Sequence, residues 1–404
     1  MEVWKRNLYV LCGALFIAMV GMSMVMPFLP LFIEQEFNIT DPDEVTTWAG
    51  IIFGANFLTA GLFSPIWGNL ADKYGRKIMI LRSGFLMSIT IGLTGLAGNV
   101  WHLLFLRLLN GTIAGIIPAS NALVASTAPR EKSGWALGVL QSSVVSGSIM
   151  GPFFGGLLAD MVGYRVVFLI TGGLLFIASL IITFAVKEEF TPLPKKEQTS
   201  LREDFKMMFS SKTLPVLFAV TVMIQLSLNG ILPILPLYVK SLVGDSNNIA
   251  FFAGLVTAVT GLANVMSSPT LGKIGDRIGP HKVLLGSLLL SAIVFIPTAM
   301  VETYWQLLLL RFIAGLCLGG LMPAVTSLLR KVTPSHMVSR VFGYNNSFLS
   351  LGNMIGPATG GYVATFFGYH GVFYMTSILL LLTFFWFLYV VRHGFQPSSE
   401  REEL

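Results

Sequence analysis

Twelve stretches of about 20 predominantly apolar residues, separated by short polar loops, occupy nearly the whole chain. Each is long enough as a helix to cross a hydrocarbon core of roughly 30 Å. They run over 7–33, 48–71, 78–98, 101–126, 135–159, 166–186, 214–239, 250–271, 283–301, 305–329, 341–366 and 372–391. Helices satisfy their own backbone hydrogen bonds in lipid, so the expected fold class is an all-α membrane protein with twelve transmembrane helices. Only 11% of the 404 residues are charged, against roughly 25% in a soluble domain, which argues against a water-soluble enzyme.

The net charge of +6 could point to nucleic acid, so the placement of the 26 Lys and Arg residues matters. With both termini cytoplasmic, 22 fall on inner segments and two, Arg165 and Lys240, on outer loops; Arg107 and Arg311 lie within spans. That asymmetry predicts cytoplasmic N- and C-termini in a multi-pass plasma-membrane protein, and it assigns the basic charge to orientation rather than to nucleic acid. The first apolar stretch follows Lys5 and Arg6 as a signal peptide would, but it is too long and lacks a small-residue cleavage site. Cys12 and Cys317 fall in different spans, which suggests neither a disulfide framework nor a metal cluster. There is no phosphate-binding loop for a self-contained ATP-driven pump and no nucleophile–His–acid arrangement.

Short motifs reappear about 205 residues later in the same order, so the chain reads as a duplication. Pro27 and Pro30 return as Pro233 and Pro236, and Gly68-x-x-x-Asp72-Lys73-x-Gly75 returns as Gly272-x-x-x-Asp276-Arg277-x-Gly279. Trp101, Arg107, Gly111 and Gly115 return as Trp305, Arg311, Gly315 and Gly319. Gly147-x-x-x-Gly151-Pro152 returns as Gly352-x-x-x-Gly356-Pro357. The expected organisation is a six-helix bundle over 1–186, a cytoplasmic linker over 187–212, a second six-helix bundle over 213–392 and a cytoplasmic tail over 393–404. Within the linker, 201–209 reads as a short amphipathic helix. Two pseudo-symmetric six-helix bundles, repeated in parallel about an axis along the membrane normal, are a transporter architecture with a substrate site near the midplane.

Three motifs resemble the major facilitator superfamily, and within it the twelve-span drug:proton antiporters. The segment from Gly68 through Asp72, Gly75, Arg76 and Lys77 resembles the superfamily's loop signature, Arg107 with Gly111 the antiporter span-four signature, and Gly147 to Gly156 the span-five motif of exporters. Val-Met-Pro-Phe-Leu-Pro-Leu-Phe at 25–32 and Lys-Ser-Gly-Trp-Ala-Leu-Gly at 132–138 are similar to a multidrug-efflux branch whose members export fluoroquinolones and other amphipathic drugs. The resemblance implies the superfamily's fold, a conformational latch at Gly68, Asp72, Gly75, Arg76 and Lys77, and a role for Arg107 in proton coupling. It leaves the substrate open, because related exporters carry siderophores.

Physical chemistry reads the same residues independently. Gly68 and Gly75 allow close approach and turn geometry, and Asp72 can pair with Arg76 or Lys77 or face a helix N-terminus. Arg107 shares a helix face with Gly111 and Gly115; it either turns into the bundle or snorkels to the outer interface, and Arg311 repeats the choice. Gly147, Gly151 and Pro152, with Gly356 and Pro357, would give close packing and gating bends. No acid lies deep in a span; of the carboxylates at outer ends, Glu34 ranks ahead of Asp160 and Glu302 as a proton-coupling candidate beside Arg107 and Arg311, and it reads equally as a solvated loop carboxylate.

The candidate substrate pocket comprises Met26, Asn56, Gln141, Gln225, Asn229 and Asn346, apolar with a few amides, alongside Asn110, Asn353 and Met22. Each amide taken singly is more often an interhelical hydrogen bond than a ligand contact, and Gln225, Asn229 and Asn346 rank first among them. Without deep charge, such a pocket favours lipophilic neutral or weakly basic cargo. The expected function is secondary export of amphipathic molecules coupled to proton influx by a monomer in membrane lipid, with no cofactor or metal beyond the proton itself. Export of a single metabolite or siderophore, or proton-coupled uptake, are the alternatives.

Overall fold

The structure is a computed structural model that describes residues 2–129, 132–188, 213–244, 248–333 and 338–394. The bulk of the expected linker and tail, and the 201–209 helix, lie outside the described residues. Among the described residues there are helices and connecting turns and no strand. Ten helices are long and apolar enough to cross a membrane. The last, Val341–His393, leaves helical geometry at Gly368 and comprises spans eleven and twelve, while span seven is split into Leu214–Asn229 and Leu235–Val243. The architecture is therefore that of twelve spans. Large apolar side chains face outward, with Phe105, Phe184, Trp305 and Phe367 between 64% and 80% exposed. A surface of that kind is matched to lipid.

The duplication governs local structure as well as sequence. Span one breaks between Val3–Met24 and Leu29–Glu36, around Pro27, and span seven breaks at the corresponding Pro233. Span four breaks between Val100–Ile113 and Ile116–Thr127, and span ten between Tyr304–Leu318 and Leu321–Val332. The caps repeat: Asn99 accepts from the His102 amide at the start of span four, and Thr303 forms a capping box with Gln306 at the start of span ten. Gly75 and Gly279 hold φ of 97° and 100° in the turns after spans two and eight. A side chain is disfavoured there, which explains why glycine occupies both positions.

Contacts divide the chain into two compact units. The first is Met1–Lys196 with Leu235–Ala258, and the second is Glu197–Ile234 with Val259–Leu404. In the first, span one packs against spans five and six. A methyl group on Gly147 would stand 2.7 Å from the Phe16 carbonyl, and one on Gly151 2.5 Å from that of Val20, so this glycine row seats span five directly on the span-one backbone. Thr171 Oγ1 donates to the Gly21 carbonyl at 3.1 Å. The second unit repeats the pattern: Gly352 lies against Gln225 and Gly356 against Leu226, and Thr376 Oγ1 donates to the Ser227 carbonyl at 3.0 Å.

Candidate functional site

The first unit contains a partly open cavity lined by spans one to four. Met22, Met26 and Leu29 come from span one, where the break at Pro27 opens the helix, and Asn56 and Phe57 come from span two. Span four supplies Arg107 and Asn110. Its face is held against span two by Gly111, since a Cβ there would collide with the Asn56 carbonyl, and by Thr59 Oγ1, which donates to the Leu108 carbonyl at 2.9 Å. Arg107 is seven residues beyond Val100, the first residue of span four, or about 10 Å along the helix.

A short polar relay crosses the wall of this cavity. Thr90 Oγ1 donates to Asn110 Oδ1 at 3.0 Å, and Asn110 Nδ2 donates to Asn56 Oδ1 at 3.0 Å. Arg107 stands apart from it. Its Nε and Nη2 are buried without a hydrogen-bond partner, and its guanidinium carbon lies 5.8 Å from the centre of the Phe168 ring. The arginine turns into the bundle rather than snorkelling outward. The expectation of a pocket without deep charge therefore changes: this cavity carries one cation, and none of its lining residues is acidic.

The other candidates are distributed as follows. Gln141 is exposed on span five, outside this cavity. Gln225, Asn229 and Asn346 belong to the second unit: Asn229 Nδ2 donates to Asn353 Oδ1 at 2.8 Å and to the Gln225 carbonyl at 2.9 Å, and Asn346 is exposed. Arg311 is buried at 8% exposure with its Nε unpartnered. Glu34 is not a freely solvated carboxylate: Lys240 Nζ lies 2.6 Å from its Oε1, while its Oε2 is buried without a partner. Asp160 accepts the amides of Ala250 and Phe251 at 3.2 and 2.7 Å and so caps the start of span eight.

Around the loop motif the acid at the helix N-terminus comes from elsewhere. Glu188, just past span six, accepts the amides of Arg76 and Lys77 at 3.0 and 2.7 Å, and Lys77 Nζ donates to the Thr183 carbonyl at 2.9 Å. The Asp72 side chain lies outside the described residues. Gly75 earns its place through the turn, but open space surrounds Gly68, so close approach does not explain that glycine. Span five stays helical through Pro152, and Gly151 packs on span one; span eleven likewise runs on through Pro357.

Sequence reasoning passed over three residues. Glu188 stood in an unremarkable charged run at the end of span six, where nothing local marked it as a cap. Thr90 carried no signal of its own. Arg82, counted with the inner loop, lies inside span three (Arg76–Thr94), where its guanidinium stacks 3.4 Å from the Trp67 ring centre and donates to the Ile113 carbonyl at 3.2 Å. It thereby satisfies a carbonyl left open by the break in span four.

A family model for the Major Facilitator Superfamily matches residues 11–253 and 217–403. The multidrug resistance protein MdtG of Salmonella typhimurium is 45% identical over 378 residues, covering 94% of this chain and 93% of its own. That of Serratia proteamaculans is 43% identical over 400 residues, covering 99% and 97%. Among solved structures, a bacterial homologue of the human lysosomal transporter Spinster, inward-facing and occupied, aligns with a TM-score of 0.80 at 15% identity over 97% of this chain and 98% of its own. The nucleoside transporter NupG aligns at 0.78 and 14% identity over 98% and 100%. At such identities these two likenesses concern the fold.

Proposed function

Because the chain belongs to the major facilitator superfamily, a family of transporters, we propose that it exports amphipathic small molecules across the cell membrane in exchange for inward protons, by alternating access. The near-full-length likeness to multidrug resistance proteins carries this reading. The cavity supports it in kind, since Met22, Met26 and Phe57 offer adaptable apolar walls with only a few polar groups to orient a guest. The working unit is a monomer in lipid with cytoplasmic termini, and the proton is its coupling ion.

The half-buried Glu34–Lys240 pair and Asp160 are where protons act, because these carboxylates reach the outer side and hold other elements in place. Arg107 and Arg311 contribute the fixed positive charge that such coupling works against. The Gly68–Lys77 motif, with Glu188 on the first amides of span three, is the cytoplasmic latch. The glycine rows about Pro152 and Pro357, where spans five and eleven run on as helix and lie directly on spans one and seven, are the close-packed seams along which the spans rearrange.

The test is movement of a panel of amphipathic fluorescent dyes and drugs, anionic, neutral and cationic, in energised everted vesicles. The expected result is uptake into the vesicles that a protonophore abolishes and that Arg107→Ala loses. No movement across the panel would overturn multidrug export and leave a single dedicated cargo or uptake as the function.

A further inference from the structure

We propose that Trp67 and Arg82 are positioning residues of the transport cycle: together they clasp the break in span four, and their release lets that span become a continuous helix. This rests on the export reading, to which it adds the element that moves. Between Ile113 and Ile116 the backbone leaves helical geometry, with Ala114 at ψ 157° and Gly115 at φ 147°. In a continuous helix the carbonyls of Thr112 and Ile113 would accept the amides four residues on, those of Ile116 and Ile117. In the broken span they accept side chains instead. Trp67 Nε1 donates to the Thr112 carbonyl at 2.6 Å, and Arg82 Nη2 donates to that of Ile113 at 3.2 Å. The two donors also hold each other, because the guanidinium carbon lies 3.4 Å from the Trp67 ring centre. The clasp thus replaces, donor for donor, two hydrogen bonds that the break gives up.

Such a contact can let go. On straightening, both carbonyls regain amide partners within span four, so release strands neither of them. Arg82 Nε and Nη1 are buried without a hydrogen-bond partner among the described residues, so the clasped state leaves part of a cation unanswered. Gly115 is the residue type that accepts both a φ of 147° and a helical one. Trp67 immediately precedes Gly68, and Arg82 lies five residues past Lys77, so the two arms of the loop motif meet at the break. A rearrangement of that loop therefore reaches Val100–Ile113, the segment carrying Arg107 and Asn110, through two side chains that do not line the cavity. The second copy breaks span ten at the matching place but has Leu271 and Gly286 where the first has Trp67 and Arg82, and there Ser268 Oγ donates to the Gly319 carbonyl at 2.8 Å. Leucine and glycine carry no side-chain donor, so this clasp belongs to the first copy.

The experiment reads the shape of span four directly. In the full-length chain with Cys12→Ala and Cys317→Ala, spin labels on Phe105→Cys and Ser126→Cys occupy exposed positions on either side of the break, about 31 Å of rise apart in a continuous helix. Pulsed electron spin resonance in nanodiscs should show mainly the broken-span distance. Three variants should shift the distribution toward that of a continuous helix: Trp67→Phe, which keeps a ring and loses the N–H, Arg82→Met, and Gly115→Ala, which disfavours the positive φ. Arg82→Lys, which keeps a charged donor, should shift it less than Arg82→Met. In energised everted vesicles the three variants should lower the maximal rate of dye movement by on the order of tenfold with KM within about twofold, because a conformational step and not a cargo contact is altered. Distances unchanged in the variants would overturn the proposal, and so would a raised KM at an unchanged maximal rate. Trp67→Phe and Gly115→Ala decide the matter if Arg82→Met does not fold. Dye export by the native chain with no distance shift in any variant would sink the clasp and leave export standing. Distance shifts in a chain whose native form moves no dye would sink multidrug export and keep the clasp for whichever cargo span four serves.

Discussion

An arginine inside a membrane span must find a partner, reach water or have its charge answered by a guest. Arg107 and Arg311 occupy equivalent positions, and each keeps a buried Nε without a hydrogen-bond partner. Arg311 makes no hydrogen bond at its buried Nε. Arg311→Met is therefore expected to leave the thermal midpoint unchanged or raise it, since replacing a buried ionic group with well-packed apolar volume is often neutral or stabilising by about 1–4 kcal/mol. Thermal unfolding in detergent checks this. The glycines offer a second contrast at this scale. Gly151→Ala would push a methyl into the Val20 carbonyl and Ser23 and should cost about 1–3 kcal/mol, while Gly68→Ala has open space inside a helix and should be neutral or stabilising by up to about 1 kcal/mol. Both glycines stand in recognisable motifs, so the pattern revealed the residues, but only the neighbour across the interface reveals which one is pressed.

Among elements, two helix starts depend on carboxylates from distant parts of the chain. Span three begins against Glu188 and span eight against Asp160. A carboxylate there accepts amides that have no partner within the helix and favours the positive end of its dipole. Glu188→Ala and Asp160→Ala are each expected to cost about 1 kcal/mol. Hydrogen exchange gives the specific sign: the amides of Arg76 and Lys77 should lose protection in the first variant only, and those of Ala250 and Phe251 in the second only. Equal protection in variant and native chains would show that the caps carry no energy. The broken spans were not legible in advance: Pro27 and Pro233 were visible only as a repeat, spans four and ten break without proline, and Pro152 and Pro357 stand in helices that run on. The long-range caps were not either, because a single Glu or Asp near a span end looks alike whether it faces water or a helix terminus 90 or more residues away.

For the whole molecule, the twelve-span reading came from apolar run length and the duplication from spaced motifs, both properties that survive without knowledge of contacts. What neither property carries is partnership between spans: Asn56, Asn110 and Thr90 lie on three different helices, and nothing local marks them as one relay. Orientation lies between these cases, because it depends on where charge is distributed rather than on who touches whom. The two outer basic residues are each paired with an acid at the end of span one, Arg165 with Glu36 and Lys240 with Glu34, both at 2.6 Å. They are structural cations, so they do not weigh against the inner excess of Lys and Arg, and both termini should be cytoplasmic. In a chain freed of its own thiols by Cys12→Ala and Cys317→Ala, Thr40→Cys and Lys132→Cys place single thiols at exposed positions on opposite expected sides. A membrane-impermeant maleimide should label the first in intact cells and the second only after the membrane is opened. The reverse pattern would invert the topology, and with it the direction of transport assigned to every residue above.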